Sequence, residues 1–302
     1  RNELAAFCGY RDFFIRSIQI HEGRIMLIER KKEKIIIEIM VLSGAIIFLL
    51  PIFFLFITSF KPYSEIINFK GIMPKQWTLE NIKTVLVNSQ EIPILRWFVN
   101  SLVVSTAASF LVLTVQAMAA FALSRLNLPG SKVLFVIIIA TLMIPAQILL
   151  VPVYLILNYF VWLDNHLALI VPPAAGAFGV FLLRQFFVSI PREYEEAALI
   201  DGCSTWKIFW YIILPMSKPV LATLGIFVFI ASWNDFLGPM VFLDSSDKYT
   251  LPVGIALFQN SYMTDYGITL AASSLGTLPV LIAFLLFQKY IIKGISLSGL
   301  KG

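Results

Sequence analysis

Charged residues are scarce in this sequence. Asp, Glu, Lys and Arg together make up 14% of the 302 residues, whereas 59% of the residues are hydrophobic. Soluble domains are nearer half apolar and about a quarter charged. A chain of this length with so few charges cannot cover a large apolar core with a water-facing surface. The composition therefore excludes an ordinary soluble protein and indicates a chain that lies in a lipid bilayer.

Cysteine and histidine are also rare, and the common catalytic motifs are missing. Cys8 and Cys203 both fall in segments that are predicted below to face the cytoplasm, where disulfides are uncommon. His21 and His166 fall on opposite sides of the predicted membrane and cannot share a metal ion. The sequence has no phosphate loop (GxxxxGKS or GxxxxGKT) and no Ser/His/Asp grouping with catalytic spacing. We therefore expect no catalytic residues, no metal site and no cofactor in this chain.

Long apolar stretches make up most of what the chain does contain. A membrane-spanning helix needs about 20 mostly apolar residues, and such stretches recur between charged residues. They are too long for the strands of a membrane β-barrel and lack strict alternation. Pro145, Pro152 and Pro279 are expected to kink the third and sixth helices. The sequence predicts an all-α integral membrane protein with six transmembrane helices, at about 38–60, 98–123, 133–157, 167–188, 219–242 and 268–290.

Lys and Arg are distributed unevenly over the predicted connections. Most of them lie before the first helix, after the second, around the connection 189–218 and after the sixth. The opposite connections hold few, apart from a long first loop, 61–97, that carries charges of both signs. The positive-inside rule therefore predicts that both termini and the connection 189–218 are cytoplasmic. Because the basic residues form no patch interleaved with aromatics, the net charge of +5 is attributed to this topology and not to nucleic-acid binding.

The first residues carry no functional signal. Residues 1–35 precede the first predicted helix and are expected to form a cytoplasmic N-terminal segment. Because residue 1 is Arg and Met26 stands just ahead of the basic run 30–34, residues 1–25 are interpreted as an extension or a tag. The alternative is an amphipathic cytoplasmic segment, since several Phe and Ile residues cluster there. No apolar run with a small-residue cleavage site precedes Met26, which argues against a cleaved signal peptide.

The connection 189–218 is polar, unlike the stretches on either side of it. Pro191 can begin a helix without losing a needed N–H, and Gly202 can end that helix in a left-handed conformation. Ser204 or Thr205 can then cap a second, aromatic-rich helix along the membrane surface. The first turn would hold three acids, which suit the positive end of a helix dipole: Glu193, Glu195 and Glu196. Such an element fits a groove on a partner protein, and the alternative is an ordinary amphipathic loop.

The residue spacing in this connection is distinctive. It runs Glu196–Ala198, three residues, Gly202, nine residues, Ile212, one residue, Leu214–Pro215. At every fixed position this spacing resembles the cytoplasmic motif of binding-protein-dependent ABC importer permeases. Other pieces resemble the smaller permease subunit of maltose-type carbohydrate importers: Pro74, Trp77–Asn81, Asn100–Ser101, Trp233–Phe236, Thr250–Gly254 and Gly299–Gly302. The resemblance covers about residues 35–302 and departs at 296–298, where the family commonly has a glycine-rich ending.

The resemblance implies a fold, a set of partners and a location. Residues 36–302 would form a type I ABC importer transmembrane domain in the bacterial inner (plasma) membrane. Such a chain pairs with a second permease subunit on two ATP-binding cassette subunits, which bind ATP and Mg²⁺, while an extracellular solute-binding protein delivers the solute. The chain would thus be a non-catalytic permease subunit for a sugar or oligosaccharide. The residues implied to couple it to the ATPases are Glu196, Ala197, Ala198, Asp201, Gly202, Ile212, Leu214 and Pro215.

Polar and aromatic residues inside the predicted spans mark a candidate solute path, because polar groups in a membrane are costly and often functional. Asp235 is the one carboxylate well inside a predicted span, where it can bind solute or tie helices together. Tyr154 and Trp233 can stack on sugar rings or act as interface anchors. The candidate residues are Asn234, Asp235, Tyr154, Trp233, Gln147 and Asn158.

Two other functions stay open from the sequence. An ABC importer permease for another solute, such as a glycerol phosphate or a peptide, would share the same motif. A secondary transporter or an integral membrane enzyme would show inverted repeats or more buried ionisable groups, and the sequence shows neither. Copurification with ATPase subunits separates the transporter classes, and a ligand screen on the binding protein separates the solutes.

Overall fold

The computed structural model of the chain describes residues 34–69, 71–87, 93–261 and 266–299. The expectations for residues 1–33 lie outside the described residues. Over the described ranges every regular element is a helix, which confirms the all-α prediction. The chain divides into two units, the first ending at Ile57 and the second beginning at Thr58.

The first unit contains most of one long apolar helix, α1 (Lys34–Ser59). In the second unit two short helices, α2 (Tyr63–Ile67) and α3 (Glu80–Val87), precede the long helix α4 (Ile94–Arg125). The helices after α4 are, in order, α5 (Ser131–Met143), α6 (Ala146–Tyr159), α7 (Leu167–Ala175), α8 (Ala177–Ser189), α9 (Glu193–Ile200), α10 (Thr205–Met216), α11 (Lys218–Trp233), α12 (Leu237–Phe242), α13 (Leu251–Ser261) and α14 (Tyr266–Gly299).

Among the described residues, three helices are long and apolar enough to cross a bilayer: α1, α4 and the part of α14 up to Leu286. Their most apolar windows have mean hydropathies of 2.8, 1.9 and 2.0. The pairs α5–α6, α7–α8 and α10–α11 also qualify when each is taken together, although they bend by 96°, 45° and 79°. The count of six is reached when each bent pair is taken as one crossing.

The third predicted span is broken where a proline interrupts it. The sequence predicts one helix over 133–157, but the chain turns by 96° between Met143 and Ala146. Pro145 lies in this break, as expected, because proline has no N–H to continue the helical ladder. Pro152 and Pro279, by contrast, lie inside the uninterrupted helices α6 and α14.

The fifth predicted span ends earlier than the sequence indicates. The prediction of one helix over 219–242 is wrong, because α11 stops at Trp233 and α12 begins at Leu237. Two side chains stabilise the break: Asn234 Nδ2 donates to the Ile230 carbonyl at 2.9 Å, and Asp235 Oδ1 accepts from the Gly238 N–H at 3.3 Å. Asp235 therefore lies between two helices, not inside one.

Helix α4 is the centre of the second unit and packs against α8 and α11. Buried apolar clusters lie near both of its ends. One cluster gathers Phe121, Phe187 and Phe209 with aliphatic residues of α4 and the neighbouring helices. The other gathers Trp97 and Trp233 with residues of α13 and α14. These clusters hold the connection between α8 and α11 at one end and the break after α11 at the other.

A charged network ties the connection α6–α7 to the connection α12–α13. Asp164 Oδ1 accepts from the backbone N–H groups of Asp244 at 3.1 Å and Ser245 at 2.9 Å. Its Oδ2 accepts from Ser245 Oγ at 2.6 Å and from Lys248 Nζ at 2.7 Å. These bonds, the one from Lys248 first, stabilise the carboxylate and lower the pKa of Asp164 below its usual range.

We expect Asp164→Asn to lower the melting temperature of the purified chain at neutral pH. The folded pKa lies below the unfolded value of about 3.9, so the contribution of the carboxylate is complete above that value and is lost as the pH falls through the folded pKa. The difference in melting temperature should stay constant from neutral pH to about pH 5 and shrink below about pH 4. Asp244→Asn, on an exposed side chain, is the control and should have little effect. A difference that does not shrink in acid would contradict this assignment.

Candidate functional site

The connection between α8 and α11 consists of two helices separated by a tight turn. Gly202, with φ of +80°, adopts the left-handed conformation that the sequence predicts for it. Its N–H donates to Leu199 O at 3.0 Å, and the Cys203 N–H donates to Ala198 O at 2.9 Å, which together close the end of α9. Ser204 Oγ then accepts from the Lys207 N–H at 3.4 Å and caps α10. After α10 the chain bends by 79° into α11.

One face of α9 and the turn after it is exposed. Glu196, Ala197, Asp201 and Gly202 are all open to solvent in the described chain. These four residues are acidic or small, although α9 also exposes Tyr194, Leu199 and Ile200. Nothing lies within 4 Å of the position that a Cβ on Gly202 would take. This surface is suited to docking, because a partner protein can come close to the backbone at Ala197 and Gly202 and can place basic groups beside Glu196 and Asp201.

Most of the other residues of the motif pack against neighbouring helices of this chain. Ala198 is only 7% exposed and packs in the cluster with Phe187 and Phe209. Ile212 and Leu214 are partly buried against the same cluster, while Pro215 is exposed. The methyl group of Ala198 is therefore covered by this chain, and of the two alanines it is Ala197 that is open to a partner. The motif contains both an outward surface and the residues that hold it in place.

A cavity of about 370 Å³ opens between α4, α7–α8, α11 and α12. Most of its lining is apolar, and its polar lining residues are Gln116, Ser232 and Asp235. Gln116 Nε2 donates to Pro173 O at 3.2 Å and to Ala174 O at 3.4 Å, at the break between α7 and α8. Its Oε1 is buried and has no hydrogen-bond partner among the described residues.

Gly179 makes room for this glutamine. A Cβ at Gly179 would lie 1.8 Å from Gln116 Oε1, so any larger residue there would displace the amide. Gln116 Oε1 is covered in this way, so the polar groups that the lining offers a ligand are the carboxylate of Asp235 and the hydroxyl of Ser232. The cavity therefore suits a ligand that brings hydroxyl or amine donors.

The candidate solute-path residues do not come together in one place. Asp235 lines the cavity, whereas Trp233 and Asn234 line a second one, of about 410 Å³, between α11, α13 and α14. Trp233 is 3% exposed, and its Nε1 donates to Gly276 O at 3.1 Å. It thus packs inside the protein and offers no face for a sugar ring. Tyr154 lies beside Phe242, with 6.5 Å between the ring centroids.

Gln147 and Asn158 are exposed and line neither of these two cavities. Gln116 and Ser232 were not chosen from the sequence as solute-path residues. A glutamine in an apolar helix was the only signal for the first, and the neighbouring Gly179 that gives it space is 63 positions further along the chain. Sequence spacing alone does not join these residues.

Known proteins are similar to this chain in sequence and in fold. Residues 116–297 match the family described as binding-protein-dependent transport system inner membrane component. The chain is 32% identical over 261 residues to the arabinooligosaccharides transport system permease protein AraQ of Bacillus subtilis (strain 168), with 85% of this chain and 92% of that protein covered. It is 31% identical over 280 residues to the trehalose/maltose transport system permease protein MalG of Thermococcus litoralis, with 90% and 99% covered.

A solved structure is similar as well. It is the crystal structure of a bacterial ABC transporter involved in the import of the acidic polysaccharide alginate. One of its chains superposes with a TM-score of 0.76 at 25% identity, over 85% of this chain and 95% of that chain. The helical architecture described above is therefore the architecture of a transporter subunit.

Two adjacent alanines lie on opposite faces of α9: Ala198 on the buried face and Ala197 on the exposed face. We expect Ala198→Leu to destabilise the purified chain by about 1–3 kcal/mol, because the added carbons overpack a closed cluster. Ala197→Leu makes the same change on the exposed face and should leave the melting temperature nearly unchanged. Thermal unfolding in detergent measures both variants. Equal melting temperatures for the two would show that α9 is not seated as described.

Proposed function

This chain belongs to the family of binding-protein-dependent transport system inner membrane components, the permeases of ABC importers, and we propose that its solute is a sugar or an oligosaccharide. The names of two relatives support a carbohydrate, since they refer to arabinooligosaccharides and to trehalose and maltose. The cavity supports it independently. Its described lining contains acceptors but no Lys, Arg or His, so it suits neutral hydroxyl donors better than a phosphate ester.

The exposed face of α9 supports a partner on that side of the membrane. A surface with Glu196, Ala197, Asp201 and Gly202 allows close approach and can pair with basic groups on the rim of a groove. The proposed occupants of that side are two ATP-binding cassette subunits, which bind ATP and Mg²⁺ while this chain binds neither. A second permease subunit completes the pathway, and an extracellular solute-binding protein delivers the sugar.

The proposed orientation places both termini and the α8–α11 connection in the cytoplasm. Arg192, Lys207 and Lys218 lie in or beside this connection, and the positive-inside rule assigns such a segment to the cytoplasm. The Asp164 network then lies on the outer side, where the solute-binding protein would arrive. The first loop, with its mixed charges, carries less weight in this assignment.

The cavity beside α4 is proposed as the part of the solute path that this subunit contributes. Asp235 lies at its edge, in the break between α11 and α12, where a carboxylate can accept from sugar hydroxyls. The Ser232 hydroxyl lies on the same lining. A largely apolar wall with a few fixed polar groups is the usual composition of a small-molecule site.

A substitution at Gly202 tests whether the α8–α11 connection couples this chain to the ATPases. Gly202→Asp is expected to abolish ATP-driven sugar uptake by the reconstituted complex while the chain still inserts in the membrane, because the substitution penalises a positive φ and adds bulk to the docking face. Gly130→Asp is a matched control: its φ is +77°, and nothing lies within 4 Å of its Cβ position either. Normal uptake by Gly202→Asp, or equal loss in both variants, would refute this role.

The solute path is tested at its carboxylate. Asp235→Asn is expected to raise the sugar concentration for half-maximal uptake by about tenfold, since a hydrogen bond to a charged group contributes roughly 1.5–3 kcal/mol. Asp244→Asn makes the same change outside the cavity and should transport like the wild type. Uptake assays with one sugar and its binding protein compare the two. If Asp235→Asn transports like Asp244→Asn, the cavity is not part of the path.

A further inference from the structure

Arg125, the last residue of α4, is almost fully buried although it is charged. Its side chain is 3% exposed, and its Nη1 lies 3.0 Å from Oε1 of Glu195. Its Nη2 donates to the backbone oxygen of Ile190 at 2.7 Å and also to that of Phe187. One guanidinium therefore joins three elements: the end of α4, the end of α8 and the first turn of α9.

Each of these contacts serves a helix end. The last carbonyls of a helix lack donors within the helix, and Arg125 supplies donors to carbonyls where α8 ends. Glu195 lies in the first turn of α9, where the positive end of the helix dipole favours an acid. The guanidinium therefore donates hydrogen bonds to the two carbonyl oxygens through Nη2 and forms an ion pair with Glu195 through Nη1.

The other contacts between α9 and the helix bundle are mainly apolar. Ala198 packs in the cluster that contains Phe187 and Phe209. Apolar contacts have no preferred direction, so they would let α9 rotate or slide. A buried ion pair adds little net stability compared with apolar packing, although removing one partner is damaging. A buried arginine at this position is therefore best explained by the geometry that it imposes.

We propose that Arg125 is the positioning residue that makes α9 move as one body with the ends of α4 and α8. Displacement of α9 by an ATPase partner is then passed to two membrane helices at once, instead of being absorbed by sliding. This inference rests on the proposed function. It assigns a role to two residues outside the motif, Arg125 and Glu195: they transfer motion from the docking face of α9 to the helices that line the solute path.

The test compares sugar uptake per ATP hydrolysed in the reconstituted complex. Glu195→Gln removes the ion pair but keeps the size of the side chain, and it should lower this ratio by about fivefold or more, the range of typical coupling effects. Glu193→Gln is the matched control, because Glu193 lies in the same turn of α9 but is exposed, and its ratio should equal that of the wild type. The variants should copurify with the ATPases and hydrolyse ATP at the basal rate.

A second variant is needed in case Glu195→Gln fails to fold. Arg125→Lys keeps the charge but loses the planar fork, so it too should lower uptake per ATP. If either variant has the same ratio of sugar uptake to ATP hydrolysis as Glu193→Gln, the proposal is overturned. Loss of copurification with the ATPases would also overturn it, because the Arg125–Glu195 pair would then serve assembly. If the wild-type complex itself shows no ATP-driven uptake, the proposed function fails instead, and the two failures are thereby distinguished.

Discussion

The need to pair every backbone polar group inside an apolar environment governs this structure. Helices meet that need along their length, but each helix end and each break exposes carbonyls or N–H groups with no partner. Gln116 donates to carbonyls at the α7–α8 break, Asp235 accepts an N–H at the start of α12, and Arg125 donates to carbonyls at the end of α8. These three polar side chains thus serve the places where helices stop, and those places belong to the proposed solute path and coupling surface.

The same constraint explains what could be predicted from the sequence. Runs of apolar residues long enough to span a bilayer predicted the helices, since runs that are too long for barrel strands and lack their alternation satisfy the backbone there only as helices. Pro191, Gly202 and Ser204 predicted a helix, a turn and a second helix, because each acts on its own backbone. The left-handed Gly202 follows from local chemistry alone.

What could not be predicted depends on contacts between distant residues. The apolar run through Asp235 looked continuous, but the side chains of Asn234 and Asp235 end one helix and begin another. Trp233 looked like a sugar-stacking residue, but it is buried against α14. Ala198 belonged to the motif on spacing, yet the fold turns it inward while its neighbour Ala197 faces outward. In a helix as short as α9, the periodicity of apolar residues does not show which face packs against the rest of the chain.

In the proposed assembly the outward face of α9 contacts an ATPase while its inward face contacts this chain. Site-directed cross-linking in the assembled complex tests it most directly, with Cys8 and Cys203 replaced by Ser and one new cysteine introduced at a time. We expect Ala197→Cys to form a cross-link to the ATPase subunit and Ala198→Cys to form none. Cross-linking from Ala198→Cys alone, or from neither position in an assembly that transports sugar, would contradict it.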